Sequence, residues 1–344
     1  MLYNLGSKKN CIVISCLFYN TLKKELRNFI LENKMYKESI SNHQYCNVAI
    51  PFRTTNTEHE IFDLRKKLKN ISASNTICCS FEIMRAKSND FYQSYFAEMN
   101  KYHPLFYALT SSIKNRTQYH SSLDIFNKLP SNTLLHLTIN DLTETDVQTI
   151  LNKALDCGIH NIFALRGDST SENNTFPHTV DLVRFIRKQF GDTFCIGVAG
   201  FPEMHPESPS KELDLLYLKE KVDAGADFII TQFFFEANVF IKFVNDCRKI
   251  GINISIIPGI LPFSSYAYLE KMCKICNVKV PQNILSTLQL IKGNDDEVRN
   301  YGIQLSINII KSIIASKTTC GFHFYTLNKP SLSSEICDRL NIFY

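Results

Sequence analysis

Eight short, nearly continuous apolar runs, alternating with longer segments whose apolar residues recur at helical spacing, constrain this chain more than any other feature. The runs are TICCSFE (76–82), LFYALT (105–110), LLHLT (134–138), NIFALRGD (161–168), FCIGVAG (194–200), DFIITQ (227–232), NISIIPG (253–259) and GFHFYT (321–326). A strand with one wet face alternates apolar and polar residues, whereas a parallel strand covered on both faces does not. The segments between the runs carry helix punctuation. Thr143 with Asp146 opens TETDVQTILNKALDCG and Gly158 closes it, and LLYLKEKVDAG ends at Gly225. PQNILSTLQLI and DDEVRNYGIQLSINIIKSIIASK lengthen the last connection. Eight βα units predict an α/β chain, a closed (β/α)8 TIM barrel over residues 57–344 whose pattern begins with the helical HEIFDLRKKLKNI. Residues 1–56 are an N-terminal extension without recognisable chemistry. An open doubly wound sheet is the alternative, but no G-x-G-x-x-G follows any run.

In a barrel of this kind all strands end on one face, where active sites are built. The polar groups of this sequence fall at those ends: Glu82, Thr110, His136 with Thr138, Arg166-Gly167-Asp168, GFPEMHPES (200–208), Gln232 and HFYTLNK (323–329). Taken singly each has a plain structural reading. Thr110 and Thr138 suit strand ends, His136 suits a hydrogen-bonded core position, PEMHPES suits a turn, and Arg166 with Asp168 suits a structural ion pair. Their coincidence on one rim is what points to a site.

Composition narrows the chemistry. With 44% hydrophobic residues in 344, the chain has apolar material for a large core and is not disordered. The net charge of +5 is spread along the chain rather than clustered, which argues against a nucleic-acid partner. The 12 cysteines are scattered and read as reduced thiols; Cys273 and Cys276 form a lone CxxC without a second pair at zinc spacing, so it is read as structural and no metal is expected. No apolar run approaches the roughly 18 residues that span a bilayer, and the start, with Lys8 and Lys9 before a short apolar segment, lacks a small-residue cleavage pattern. A cytoplasmic protein without membrane partners is expected. At the rim, His136, His205 and His323 come from separate runs with no H-x-H, H-E-x-x-H or G-x-S-x-G, so metal and serine hydrolysis find no support. Arg166, His205 and Lys221 suit an anionic cofactor, with Gly167 permitting close backbone approach. Asp214, Tyr217 and Lys221, at i, i+3 and i+7, share a helix face.

The runs HLTINDLTETD, GIHNIFALRGD, GFPEMHPES, DLLYLKEKVDAGADFIITQFFFE, GINISIIPGILPFSS and GFHFYTLNKP resemble, in order, 5,10-methylenetetrahydrofolate reductase of the bacterial single-domain type. The resemblance covers about residues 57–344. It implies a flavoprotein oxidoreductase with non-covalent FAD, taking a hydride from NADH or NADPH and passing it to methylenetetrahydrofolate in ping-pong fashion, within one-carbon metabolism and methionine supply. It also implies a homo-oligomer and no adenosylmethionine control. By motif, Glu82 is similar to the acid that protonates the folate's bridging nitrogen. Asp168 resembles a catalytic carboxylate beside the flavin that also faces the folate, and Gln232 and Lys329 fall on substrate contacts. Thr110, His136, Arg166, Gly167, Asp168, Phe201, His205, Asp214, Tyr217 and Lys221 fall on FAD contacts.

Several positions depart from the family pattern. IMRAKS follows Glu82 where aromatic and Pro-Pro residues are usual, SSIKNRT after Thr110 is short, and Phe201 replaces a tyrosine. Lys329 stands for an arginine and cannot grip a carboxylate bidentately, which predicts weaker folate binding. Two other readings share the residues: a barrel kept for binding or assembly after catalysis decayed, and an aldolase-like or metal-dependent barrel enzyme.

Overall fold

The computed structural model describes residues 62–73, 76–86, 88–110, 123–139, 142–167 and 175–342. The strands are β1 (Cys78–Met84), β2 (Tyr107–Thr110), β3 (Thr133–Thr138), β4 (Asn161–Leu165), β5 (Cys195–Gly200), β6 (Phe228–Phe233), β7 (Ser255–Ile260) and β8 (Gly321–Phe324). All are parallel, and they close into one barrel in chain order, with β8 pairing back onto β1. Each strand corresponds to one of the eight apolar runs. The (β/α)8 architecture therefore stands. Two ends differ in a way that matters below: β4 stops at Leu165 and β8 at Phe324, so Arg166-Gly167 and residues 325–330 belong to loops.

Alternation along each strand divides two cores. Phe106, Ala108, Leu134, Phe163, Phe228 and Ile230 form one cluster inside the barrel, while Phe81, Leu109, Leu135, Ile162, Val198 and Ile229 pack outward against the helices. Gly197 makes room for the interior set, since a Cβ there would lie 2.5 Å from the Phe228 ring. Both faces of every strand are thus dry, which is why the runs are continuous rather than alternating.

Helix α1 (Leu64–Ala73) places Leu64 and Leu68 in the interior cluster. Its Arg65 bonds Asp227 Oδ1 (2.9 Å), the Asp192 carbonyl (2.8 Å) and the Phe194 carbonyl, all just ahead of the β5 and β6 starts. The helix therefore stoppers the N-terminal end of the barrel and leaves the other end for chemistry. The remaining helices are α2 (Asn89–Met99), α3 (Glu144–Asp156), α4 (Thr179–Phe190), α5 (Lys211–Asp223), α6 (Ala237–Lys249), α7 (Tyr266–Cys276), α8 (Gln282–Ile291), α9 (Asp295–Ala315) and α10 (Ser331–Arg339). The capping box at Thr143 forms, with Asp146 N–H on Thr143 Oγ1 (3.2 Å) and Thr143 N–H on Asp146 Oδ2 (2.9 Å). Cys273 and Cys276 lie buried on α7 beside Leu269 and Met272, so the CxxC packs a core. Among the described residues no helix is long and apolar enough to cross a membrane, and no group of His, Cys, Asp or Glu is placed to hold a metal. The extension, residues 1–56, lies outside the described residues.

Candidate active site

Glu82 sits near the C-terminal end of β1, inside the barrel mouth, and is 1% exposed. Thr110, at the end of β2, donates its hydroxyl to Glu82 Oε1 (3.0 Å), and the Leu327 N–H from the loop after β8 reaches Oε2 (3.3 Å). Burial pushes the carboxyl up to about 7, and these two hydrogen bonds, which favour the charged form, only partly oppose it. His136 on β3 continues the chain of contacts, its Nδ1 3.4 Å from Thr110 Oγ1. With the Thr110 proton given to Glu82, the His136 proton sits on Nδ1 and Nε2 is an acceptor. That Nε2 is buried without a partner among the described residues. Burial lowers this imidazole to about 3, so it is neutral at working pH.

Gln232 occupies the end of β6, where the register against β7 slips between Ile230 and Phe233. Thr231 anchors the slip: its Oγ1 accepts the Gly259 N–H (3.1 Å) and its carbonyl accepts the Tyr325 hydroxyl (2.8 Å). Gln232 Oε1 accepts its neighbour's N–H, that of Phe233, at 3.0 Å, which leaves the amide NH2 for a ligand. Lys329, beyond β8, is exposed.

A second group of predicted residues meets in a cleft of about 440 Å³ between the ends of β4 and β5 and helices α4 and α5, lined by Arg166, Gly167, Phe201, His205, Asp214, Tyr217 and Lys221 together with His178, Glu207 and Glu220. Gly167 adopts φ +88°, a left-handed turn that a side chain would strain. Asp214 organises the wall: it accepts the His205 N–H (3.1 Å) and the Ser208 hydroxyl (2.8 Å). His205 Nδ1 accepts the Glu207 N–H (3.1 Å), placing its own proton on Nε2, and its ring meets Phe201 edge to face at 4.5 Å. Lys221 Nζ donates to the Ala199 carbonyl (3.1 Å), and its desolvated ammonium is lowered to about 8, with Asp214 acting against that shift.

Arg166 pairs with Glu207, across 41 residues of chain. Asp168, and with it the expected Arg166–Asp168 pair, lies outside the described residues, as does the loop after Thr110. His323 is not at the rim: it lies inside the barrel with Nδ1 3.0 Å from Ser80 Oγ and its ring stacked on Phe106, because β8 turns that residue inward two positions before its loop. Thr110 and His136 face the barrel interior beside Glu82 and Phe163, and neither lines the cleft. Sequence reasoning passed over Glu207 and Ser208, although both stand in the GFPEMHPES run, and over Leu327, whose contribution is a backbone N–H that no residue pattern marks.

The family model described as "Methylenetetrahydrofolate reductase" matches residues 66–341. The chain is 36% identical over 285 residues to "Methylenetetrahydrofolate reductase (NADH) 1" of Arabidopsis thaliana, covering 76% of this chain and 48% of that protein. It is 35% identical over 291 residues to the "5,10-methylenetetrahydrofolate reductase" of Buchnera aphidicola, covering 81% and 96%. The chain thus spans about half the length of the plant relatives it matches. Among solved structures, an uncharacterized protein from Clostridium thermocellum, described as binding two copies of 5-methyl-5,6,7,8-tetrahydrofolic acid, shares the fold at TM-score 0.56 and 15% identity, covering 80% of this chain and 96% of that one.

Proposed function

The chain belongs to the methylenetetrahydrofolate reductase family, and from that membership we propose that it carries an FAD-dependent activity that reduces 5,10-methylenetetrahydrofolate to 5-methyltetrahydrofolate with NADH or NADPH. One observation carries this reading beyond the family: among the described residues Glu82 is the one fully buried carboxyl, and it faces the barrel mouth with an acidity near neutrality. A general acid works best when its pKa lies close to the operating pH. Its Oε1 accepts from Thr110 and its Oε2 from the Leu327 N–H, and the carboxyl so held carries the acid proton. Its transfer to the bridging nitrogen opens the folate's five-membered ring to an iminium, the hydride acceptor. Asp168 supplies a negative charge that favours this cation. Gln232, through its amide NH2, and Lys329 bind the substrate. The lysine offers a point charge rather than a planar fork.

FAD, when bound, supplies a hydride carrier between dinucleotide and folate. The residues present fit it. His136 Nε2 is a buried acceptor in want of a donor, Gly167 opens the backbone of the cleft, and Lys221 has spent one of its three donors on Ala199. Thr110, His136, Arg166, Gly167, Asp168, Phe201, His205, Asp214, Tyr217 and Lys221 would hold it. The purified protein should be yellow, bleach anaerobically with NADH or NADPH, and recover its colour with methylenetetrahydrofolate. Colourless protein that refuses added FAD would favour a barrel that has lost catalysis, and turnover that depends on a divalent metal would favour another barrel chemistry.

A further inference from the structure

β1 outruns its neighbour. The β1–β8 ladder ends at Phe81 with Phe324, yet β1 continues to Met84, paired only on its β2 side. The peptide groups of Glu82 to Met84 would stand unpaired on the β8 side, and the loop after β8 takes up two of them with side chains. Thr326 Oγ1 donates to the Glu82 carbonyl (2.7 Å), which also accepts the Tyr95 hydroxyl from α2 (2.6 Å). Two residues on, the Met84 N–H donates to Asn328 Oδ1 (2.7 Å) and Asn328 Nδ2 donates to the Met84 carbonyl (3.0 Å). An asparagine amide carries the donor and acceptor of a peptide group, so Asn328 acts as one further rung of the sheet. Leu327 lies between these anchors, with its N–H on Glu82 Oε2. Leu327 (φ +49°) and Asn328 (φ +60°) are both left-handed, a conformation that residues other than glycine keep where surrounding contacts enforce it.

We infer that Asn328 is a positioning residue for the acid: its two-bond clamp on Met84 holds the Leu327 N–H against Glu82 Oε2 and so sets the direction in which the carboxyl presents its proton. The inference rests on the reading of Glu82 as the acid. Among the described residues, the groups that face Glu82 are Thr110 from β2, His136 behind it from β3, Tyr95 from α2, Tyr268 from α7 and Tyr325 at the start of the β8 loop. Burial raises the three tyrosines and lowers the histidine, so all are neutral near pH 7. Among these groups, the Leu327 N–H is one of two hydrogen bonds that favour the carboxylate, and freeing the loop raises the Glu82 pKa further.

The test compares full-length wild type with Asn328→Gly and Asn328→Ala. Glycine keeps the left-handed backbone free of strain while deleting the amide, which isolates the clamp from the conformation. Both variants should lose about ten- to a hundredfold in kcat for folate reduction, with NADH oxidation by a quinone acceptor within about twofold of wild type. Titration of Glu82, followed by carboxyl NMR or infrared difference spectra, should move upward from about 7. An Asn328→Gly protein with wild-type kcat overturns the inference, and so does a fall in kcat with an unmoved titration, which would mean general damage. A wild type that never reduces folate refutes the proposed function instead, and the titration still decides the clamp.

Discussion

Replacing Glu82 by Gln should make the protein more stable at pH 8 and less stable at pH 4. In the unfolded chain the carboxyl ionises above about 4.5, while in the folded barrel it keeps its proton until about 7. Folding therefore takes up a proton between those values. The penalty is absent below 4.5, grows through the interval and levels off above 7 at about 3 kcal/mol, since one pH unit of displacement is about 1.4 kcal/mol. Glutamine carries no such penalty. It preserves the shape and the acceptor for Thr110 but has one carbonyl oxygen where Glu82 has two, so the hydrogen bond from Leu327 is lost at about 1 kcal/mol. The net expectation is a gain of about 2 kcal/mol at pH 8 and a loss of about 1 kcal/mol at pH 4, with the two stability curves crossing between roughly pH 5 and 6. Urea unfolding of both proteins at the two pH values, each saturated with FAD, reads the difference. A variant no more stable than wild type at pH 8 would mean that the carboxyl is solvated, and the physical basis for an acid poised near neutrality would be gone. Turnover supplies the complement: the variant should lose at least about 10²-fold in folate reduction while oxidising NADH with a quinone at the wild-type rate.

Asp168→Asn should still bind FAD but lose most folate reduction; unchanged folate turnover would remove the role assigned to its charge. Lys221→Met should weaken FAD binding by at least about tenfold, because it deletes a cation from the cleft wall, and equal affinity by fluorescence titration would place the cofactor elsewhere. Lys329→Arg should lower the KM for folate several-fold by restoring a bidentate donor; a KM that stays put would show that this side chain does not meet the substrate.

The barrel was legible because burial on both faces imprints each strand as an unbroken apolar run, and all eight runs became strands in chain order. The candidate site was legible where polarity interrupts that pattern at a strand's end, as at Glu82 and Thr110, whose side chains meet at the barrel mouth. The helix face of Asp214, Tyr217 and Lys221 was legible too, since 3.6-residue spacing brings the three into one cleft. His323 misled for the opposite reason. A polar residue near the end of a run looks the same whether it crowns the strand or, as here, turns inward to meet Ser80.

What the sequence determined by itself is the kind of layer each segment builds and the residue types gathered at one rim, because hydrophobic periodicity and helix punctuation are local. Only the tertiary structure decided who meets whom: Arg166 with Glu207, the Leu327 N–H with the Glu82 carboxyl, and the Asn328 amide with the end of β1. Those contacts join segments from 41 to 245 residues apart. They follow from where β1 overruns β8 and how the β8 loop then turns, and the acidity of Glu82 follows from the water that this closure excludes. Desolvation belongs to the enclosure rather than to any residue.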